Sequence, residues 1–275
     1  MNSCVRALAA LLLSSACAGV AAQTAGCDQA EALVRSAYPE AEDPVEGRAE
    51  MPAGSMIVLD RNDPLALVCK VWPAHPDLLL AAVPIVADFG DPDAHDGSLE
   101  VLVLARDTLD VRARYLVPYL MANDAVKITG VSIDTAAYQV RDGVRAFGVR
   151  IGRQGPSSVY PYSDVSLRLF VLNDDKVEQI LDGTLMERNG GEWDTRCNGK
   201  SEQRRMTLAV GPRQPDGWNA LVITERVESF VARATDETAV ECEETRTASD
   251  RIRHVLRHQY DSYARPERLH SPDSQ

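Results

Sequence analysis

The acidic segment Asp88–Glu100 (DFGDPDAHDGSLE) is the best candidate site in this chain. Calcium takes about six to eight oxygen ligands, and alternating acidic residues in a tight glycine-containing loop supply them. Asp91, Asp93, Asp96 and Glu100 are spaced loosely like such a loop, although His95 occupies its third odd position and Gly97 falls one residue late. Those departures favour a solvated hairpin loop, in which Asp and Gly serve turn geometry, with calcium as the alternative. No other cofactor is expected.

Three further constellations fall short of the chemistry they resemble. Gly199-Lys200-Ser201 matches the end of a phosphate-binding loop, but Asp194 stands where the first glycine is needed. His254 and His258 share one side of a strand or a helix, yet no H-E-x-x-H motif supplies a base or a third ligand. Ser157 and Ser158 follow Gly155-Pro156 without a G-x-S-x-G elbow. Carboxylate-pair hydrolysis stays open, because the separation of two acids is a tertiary quantity and 41 acidic residues nominate no pair. No catalytic residue is assigned.

Two aromatic segments have the composition of recognition loops. Glu192-Trp193-Asp194-Thr195-Arg196-Cys197 places Trp193 and Arg196 beside a cysteine, and Tyr160-Pro161-Tyr162 is an aromatic turn. Trp, Tyr and Arg are enriched among binding hot spots. The competing reading packs Trp193 over a disulfide as core.

Of six cysteines, Cys4 and Cys17 lie in an N-terminal segment built as a secretory signal: Arg6, an apolar stretch from Ala7 to Ala16, then small residues to Ala22. Cleavage before Gln23 delivers the chain to the periplasm or outside the cell of a bacterium. Cys27, Cys69, Cys197 and Cys242 remain, an even number in an oxidising compartment. No two have zinc half-site spacing, so disulfides are expected; of the three possible pairings, Cys27–Cys69 with Cys197–Cys242 is favoured because each closes a loop of modest length, contributing about 4 kcal/mol on the chain-entropy model. Partial lipoboxes precede Cys17 (Leu13-Ser14-Ser15-Ala16) and Cys27 (Thr24-Ala25-Gly26), so a lipid anchor is an alternative fate of the terminus.

The elements that must hold these residues are mainly strands. One helix opens the mature chain, with Asp28 and Glu31 as a capping box, an apolar stripe of Ala30, Leu33, Val34 and Ala37, and Pro39 as its stop. Residues 39–54 read as an acidic Pro/Gly connector. From residue 55 the apolar period becomes two: Leu109, Val111, Ala113 and Tyr115 alternate with charged residues, and Val165, Leu167, Leu169 and Val171 alternate less cleanly with Ser166, Arg168, Phe170 and Leu172. Leu99 to Leu104, apolar on both faces save Glu100, predicts a central strand, and Gly130 marks a phase slip of the kind a bulge produces. Turn signals at 141–143, 173–175 and 214–217 separate the strands at hairpin spacing. The 251–260 segment reads as a closing strand, and the tail from Pro266 as loose.

These signals predict an all-β fold: a mainly antiparallel meander of about ten to twelve strands after one short helix, a β-sandwich in preference to a propeller-like arrangement. The expected organisation is a signal over 1–22, helix and connector over 23–54, one β domain over 55–265 and a flexible tail over 266–275. The formal charge is −12, and loss of Arg6 makes it −13 (−12 − 1). A negative surface repels phosphate backbones and disfavours nucleic acid. The longest apolar run, Leu78 to Ala87, is too short to span a bilayer. The reading is therefore an exported, non-catalytic envelope protein that binds another envelope component, protein or glycan, through loops of a β domain. A carboxylate hydrolase of envelope polysaccharide and a calcium-stabilised module are the alternatives.

Overall fold

A computed structural model describes residues 27–88, 95–123, 125–194, 197–235 and 242–274. The signal segment with Cys17, the calcium candidates Asp91 and Asp93, and Arg196 lie outside the described residues.

The chain is mostly β, with one short helix and two antiparallel sheets of six and eight strands in a sandwich-like arrangement. The first sheet contains β1 (Arg48–Met51), β2 (Ser55–Val58), β3 (Val68–Trp72), β4 (His75–Asp88), β5 (His95–Ala105) and β6 (Val111–Val117). Its order is β1-β2-β4-β5-β6, with β3 also paired to β4. The second is a meander in chain order: β7 (Lys127–Arg141), β8 (Val144–Gln154), β9 (Tyr162–Asn173), β10 (Lys176–Trp193), β11 (Gly199–Arg213), β12 (Asn219–Ala234), β13 (Cys242–Gln259) and β14 (Ser262–Ala264). The count exceeds the sequence expectation because β1, β2 and β14 have only three or four residues, too few to show a period.

Helix α1 (Ala30–Ala37) buries its predicted stripe of Ala30, Leu33, Val34 and Ala37 against one face of the first sheet, with Ile57, Ala81, Leu102 and Leu104. Full burial of a side chain such as Leu33 stabilises by roughly 1.5–3 kcal/mol. The expected capping box is absent: Gln29 holds the N-cap without a side-chain bond, and Asp28 instead accepts a 2.6 Å hydrogen bond from Arg61. The connector is structured too, since Ala49 of β1 is fully buried beneath the helix.

The space between the sheets is filled from both sides, by Trp72, Leu80, Leu99, Val101 and Val103 of the first and Ile133, Phe147, Val149, Ile151 and Phe170 of the second. The Trp72 ring meets Phe147 edge-on at 5.2 Å, and Phe147 stacks on Phe170 at 5.8 Å. β5 is the predicted central strand, hydrogen-bonded on both sides and buried from Leu99 to Leu104. Leu109, expected in the next strand, sits instead in the turn at φ 61°, where Ser36 Oγ donates to its carbonyl.

The second sheet is curled. Register shifts interrupt β7–β8 at Gly130 and between Asp134 and Tyr138, and β9–β10 at three places. Each bulge bends its strand and steepens the twist. Rolled in this way, β7 meets β11 and β12 across the curl, and Asn219 donates to the Gln139 carbonyl at 2.7 Å. A second core of Tyr138, Leu167, Leu169, Leu185, Met206, Leu221, Ile223 and Leu256 fills the concave side.

The tail contradicts its loose reading. Leu269 is completely buried in that second core, and Ser271 donates its N–H to the Gly183 carbonyl at 3.0 Å. Arg268 donates to Glu225, which also receives Arg204 and contacts His254 Nε2 at 2.9 Å. Polar composition misleads here because a few charged residues carry the tail into partners waiting on the curled sheet.

Candidate functional site

Both disulfides join the predicted partners, Cys27 to Cys69 and Cys197 to Cys242, with Cα atoms 4.9 and 5.4 Å apart. The Cys27 sulfur is thereby committed within the chain. No described helix is long and apolar enough to cross a membrane.

The second bond pins one end of the second sheet. There Trp193 pairs with Gly199, Gly199 with Ala232 and Ala234 with Cys242, so β10 to β13 finish together. The 155–161 loop joins them: Trp193 N–H donates to the Val159 carbonyl at 2.8 Å and Gly191 N–H to the Pro161 carbonyl at 3.1 Å. Tyr160, Tyr162 and Trp193, separate in sequence, thus arrive at one end of the sandwich. Tyr160 is 60% exposed. Trp193 is half-buried against its own hairpin, where a Cβ at Gly199 would lie 2.5 Å from its ring. At the same end, residues 242–251 of β13 are all exposed.

Beside this end lies a cavity of ≈ 850 Å³. The connection between the sheets supplies Pro118, Leu120 and Val126, and the tail supplies Pro272 and Asp273. Its strand wall is one row of three residues: Arg153 of β8 and Arg188 of β10 stand directly opposite Asp164 of β9. Asp164 is 2% exposed. Its Oδ2 accepts a hydrogen bond from the Tyr162 hydroxyl, and its Oδ1, also buried, has no hydrogen-bond partner among the described residues. Burial raises this carboxyl above its ordinary range and the Asp273 charge pushes the same way, against the Tyr162 hydroxyl and Arg153. Burial likewise raises the Tyr162 hydroxyl.

Asp273 differs, although its side chain is only 8% exposed. Arg153 donates to its Oδ2, as do Ser166 and Arg168, each at 3.0 Å, and Arg168 also donates to its backbone carbonyl at 2.6 Å. Burial opposes ionisation, but the Arg168 and Arg153 charges outweigh it and hold the carboxyl at about 2. Arg188 completes the row with its guanidinium 5.5 Å above the Tyr162 ring.

Sequence reasoning missed Asp164, Arg188 and Asp273. The one available signal was the imperfect alternation of β9, whose interleaved polar residues Ser166 and Arg168 are wholly buried. Of the proposed calcium set, Asp91 and Asp93 lie outside the described residues, and the other two stand apart. Glu100 sits in β5, where it accepts a 2.5 Å hydrogen bond from the Tyr38 hydroxyl beside Arg114. Asp96, four strand residues away, is about 13 Å distant at the ordinary strand rise, and among the described residues no group of three or more potential metal ligands occurs. Lys200 and Ser201 are paired in β11 rather than in a phosphate loop. His254 faces Glu225, and His258 stacks on Trp218 at 4.0 Å beside Asp216. Comparison with known protein families, curated proteins and solved structures finds no match to this chain.

Proposed function

We propose that this is an exported, non-catalytic binding protein of the bacterial envelope that engages another envelope component, protein or glycan, through the pinned end of its second sheet. The supporting observation is the convergence there of Tyr160, Tyr162 and Trp193 on a rigid hairpin end closed by Cys197–Cys242. Tyr160 is exposed, and Tyr162 and Trp193 are partly so; aromatics held on a fixed backbone supply contact area at little entropic cost. Two disulfides and the lack of a membrane-spanning helix among the described residues are compatible with a site outside the cytoplasm. The experiment is affinity capture from envelope extract with tagged mature protein, residues 23–275, against the Tyr160→Asp variant. A stoichiometric partner lost with Tyr160→Asp is the expected result; no partner, or one held equally by both baits, refutes the reading.

One observation favours a second reading, a carboxylate hydrolase: Asp164 and Asp273 share a cavity, and their pKa values are pushed apart. Paired acids with divergent pKa values are how acid and base roles are divided. Release of reducing ends from envelope polysaccharide by the wild type, abolished in Asp164→Asn, is the outcome that reading requires.

A further inference from the structure

We infer that the cavity behind Tyr162 is a binding site for an organic carboxylate with an apolar body, its head group seated between Arg188 and Asp164 and its body along Leu120, Val126 and Pro272. The inference is independent of macromolecular capture at Tyr160 and Trp193, and either can fail alone.

Three observations carry it. First, Asp164 is a buried acid with one oxygen committed to Tyr162 and the other, Oδ1, without a hydrogen-bond partner among the described residues. A buried polar atom without a hydrogen bond costs about 1–3 kcal/mol, and a ligand contact there removes that cost. Second, Arg188 lies directly across from Asp164, exposed, with its guanidinium over a tyrosine face and no hydrogen bond of its own among the described residues. A guanidinium offers a fork of N–H donors that fits a carboxylate in two-point contact. Third, the cavity, ≈ 850 Å³, is within the range of small-molecule sites, about 300–1,000 Å³, and combines apolar walls with a few convergent polar groups.

Charge decides the sign of the head group. The row and its immediate partners hold three arginines, 153, 168 and 188, against two aspartates, 164 and 273, so the site is +1 (3 − 2) even with both acids ionised. Asp182 and Arg265 nearby neutralise one another at 2.8 Å. Cations are repelled and a single negative charge is accepted. In its protonated form Asp164 donates through Oδ1 to a carboxylate oxygen, a strong charge-assisted bond. The apolar walls select against bare inorganic anions.

The test is isothermal titration calorimetry of the full mature protein with octanoate, alongside acetate, 1-octanol and octylammonium. Octanoate is expected to bind saturably at one site while the other three give no comparable binding. Arg188→Gln, at an exposed position, is expected to weaken octanoate binding at least tenfold, and Leu120→Trp to abolish it by filling the cavity without altering a charge. Absence of octanoate binding, equal binding of 1-octanol or octylammonium, or unchanged affinity in either variant overturns the inference.

Discussion

Replacing Asp273 by Asn tests how the tail is held. The substitution preserves size but removes the charge that Arg168, itself completely buried, and Arg153 both contact. Breaking a buried ion pair from one side costs about 3–5 kcal/mol, because a charge is left desolvated and uncompensated. Arg168 keeps Asp182 at 3.3 Å, which argues for the low end, about 3 kcal/mol. Linkage gives an independent figure. With a folded pKa of about 2 against an ordinary 3.8, ionisation of Asp273 contributes about 2 kcal/mol at neutral pH, at 1.36 kcal/mol per unit. The sign follows from a depressed pKa: this stability is present above pH 3.8 and is lost as pH falls toward 2. The two figures agree on a loss of about 2–3 kcal/mol, or roughly 4–12 °C in melting temperature for a protein of this size. Urea unfolding of wild type and Asp273→Asn at pH 7 and pH 3 measures it. The variant should be less stable at pH 7, with the difference narrowing at pH 3. A variant within about 0.5 kcal/mol of wild type at pH 7, the scale of ordinary surface substitutions, would refute the docked tail.

Other perturbations test other parts of the fold. Glu225→Gln strips charge from the acceptor shared by Arg204, His254 and Arg268, and should destabilise by about 3 kcal/mol in urea unfolding. The Glu225 carboxyl is subject to burial but is lowered on balance by Arg268, His254 and Arg204, so its contribution is present above pH 4.5 and lost on acidification below it. Cys69→Ser opens the Cys27–Cys69 loop, a separation of 42 residues, and should cost about 4 kcal/mol, while the denatured, unreduced mature protein, residues 23–275, should titrate no free thiol. Leu33→Ala, on the buried face of α1, should cost about 2–5 kcal/mol in thermal or urea unfolding.

Much of the architecture was legible because it is local. The apolar stripe of α1, the period of two in β6, the turn glycines Gly143 and Gly217 at φ 73° and 89°, and the phase slip at Gly130 all appear where the sequence places them. The disulfide pairing followed from loop length. The candidate site was half legible: Tyr160, Tyr162 and Trp193 were recognisable as residue types, but their meeting depends on Trp193 pairing back to Val159 across a hairpin. Glu100 misled because an acid in a central strand looks like a ligand until Tyr38, 62 residues earlier, is found holding it.

The sequence by itself determined the strand-rich class, the single helix, the turns and the bonded cysteines, since each expresses a periodicity or spacing within a few dozen residues. Only the tertiary structure decided which face of β9 is dry and what the tail does. An alternation such as Ser166-Leu167-Arg168-Leu169 has one wet face or none, according to what covers it. Here the cover comes from Asp273, 105 residues away from Arg168 and 120 from Arg153. Charge burial depends on partners at that range, and no local pattern encodes it.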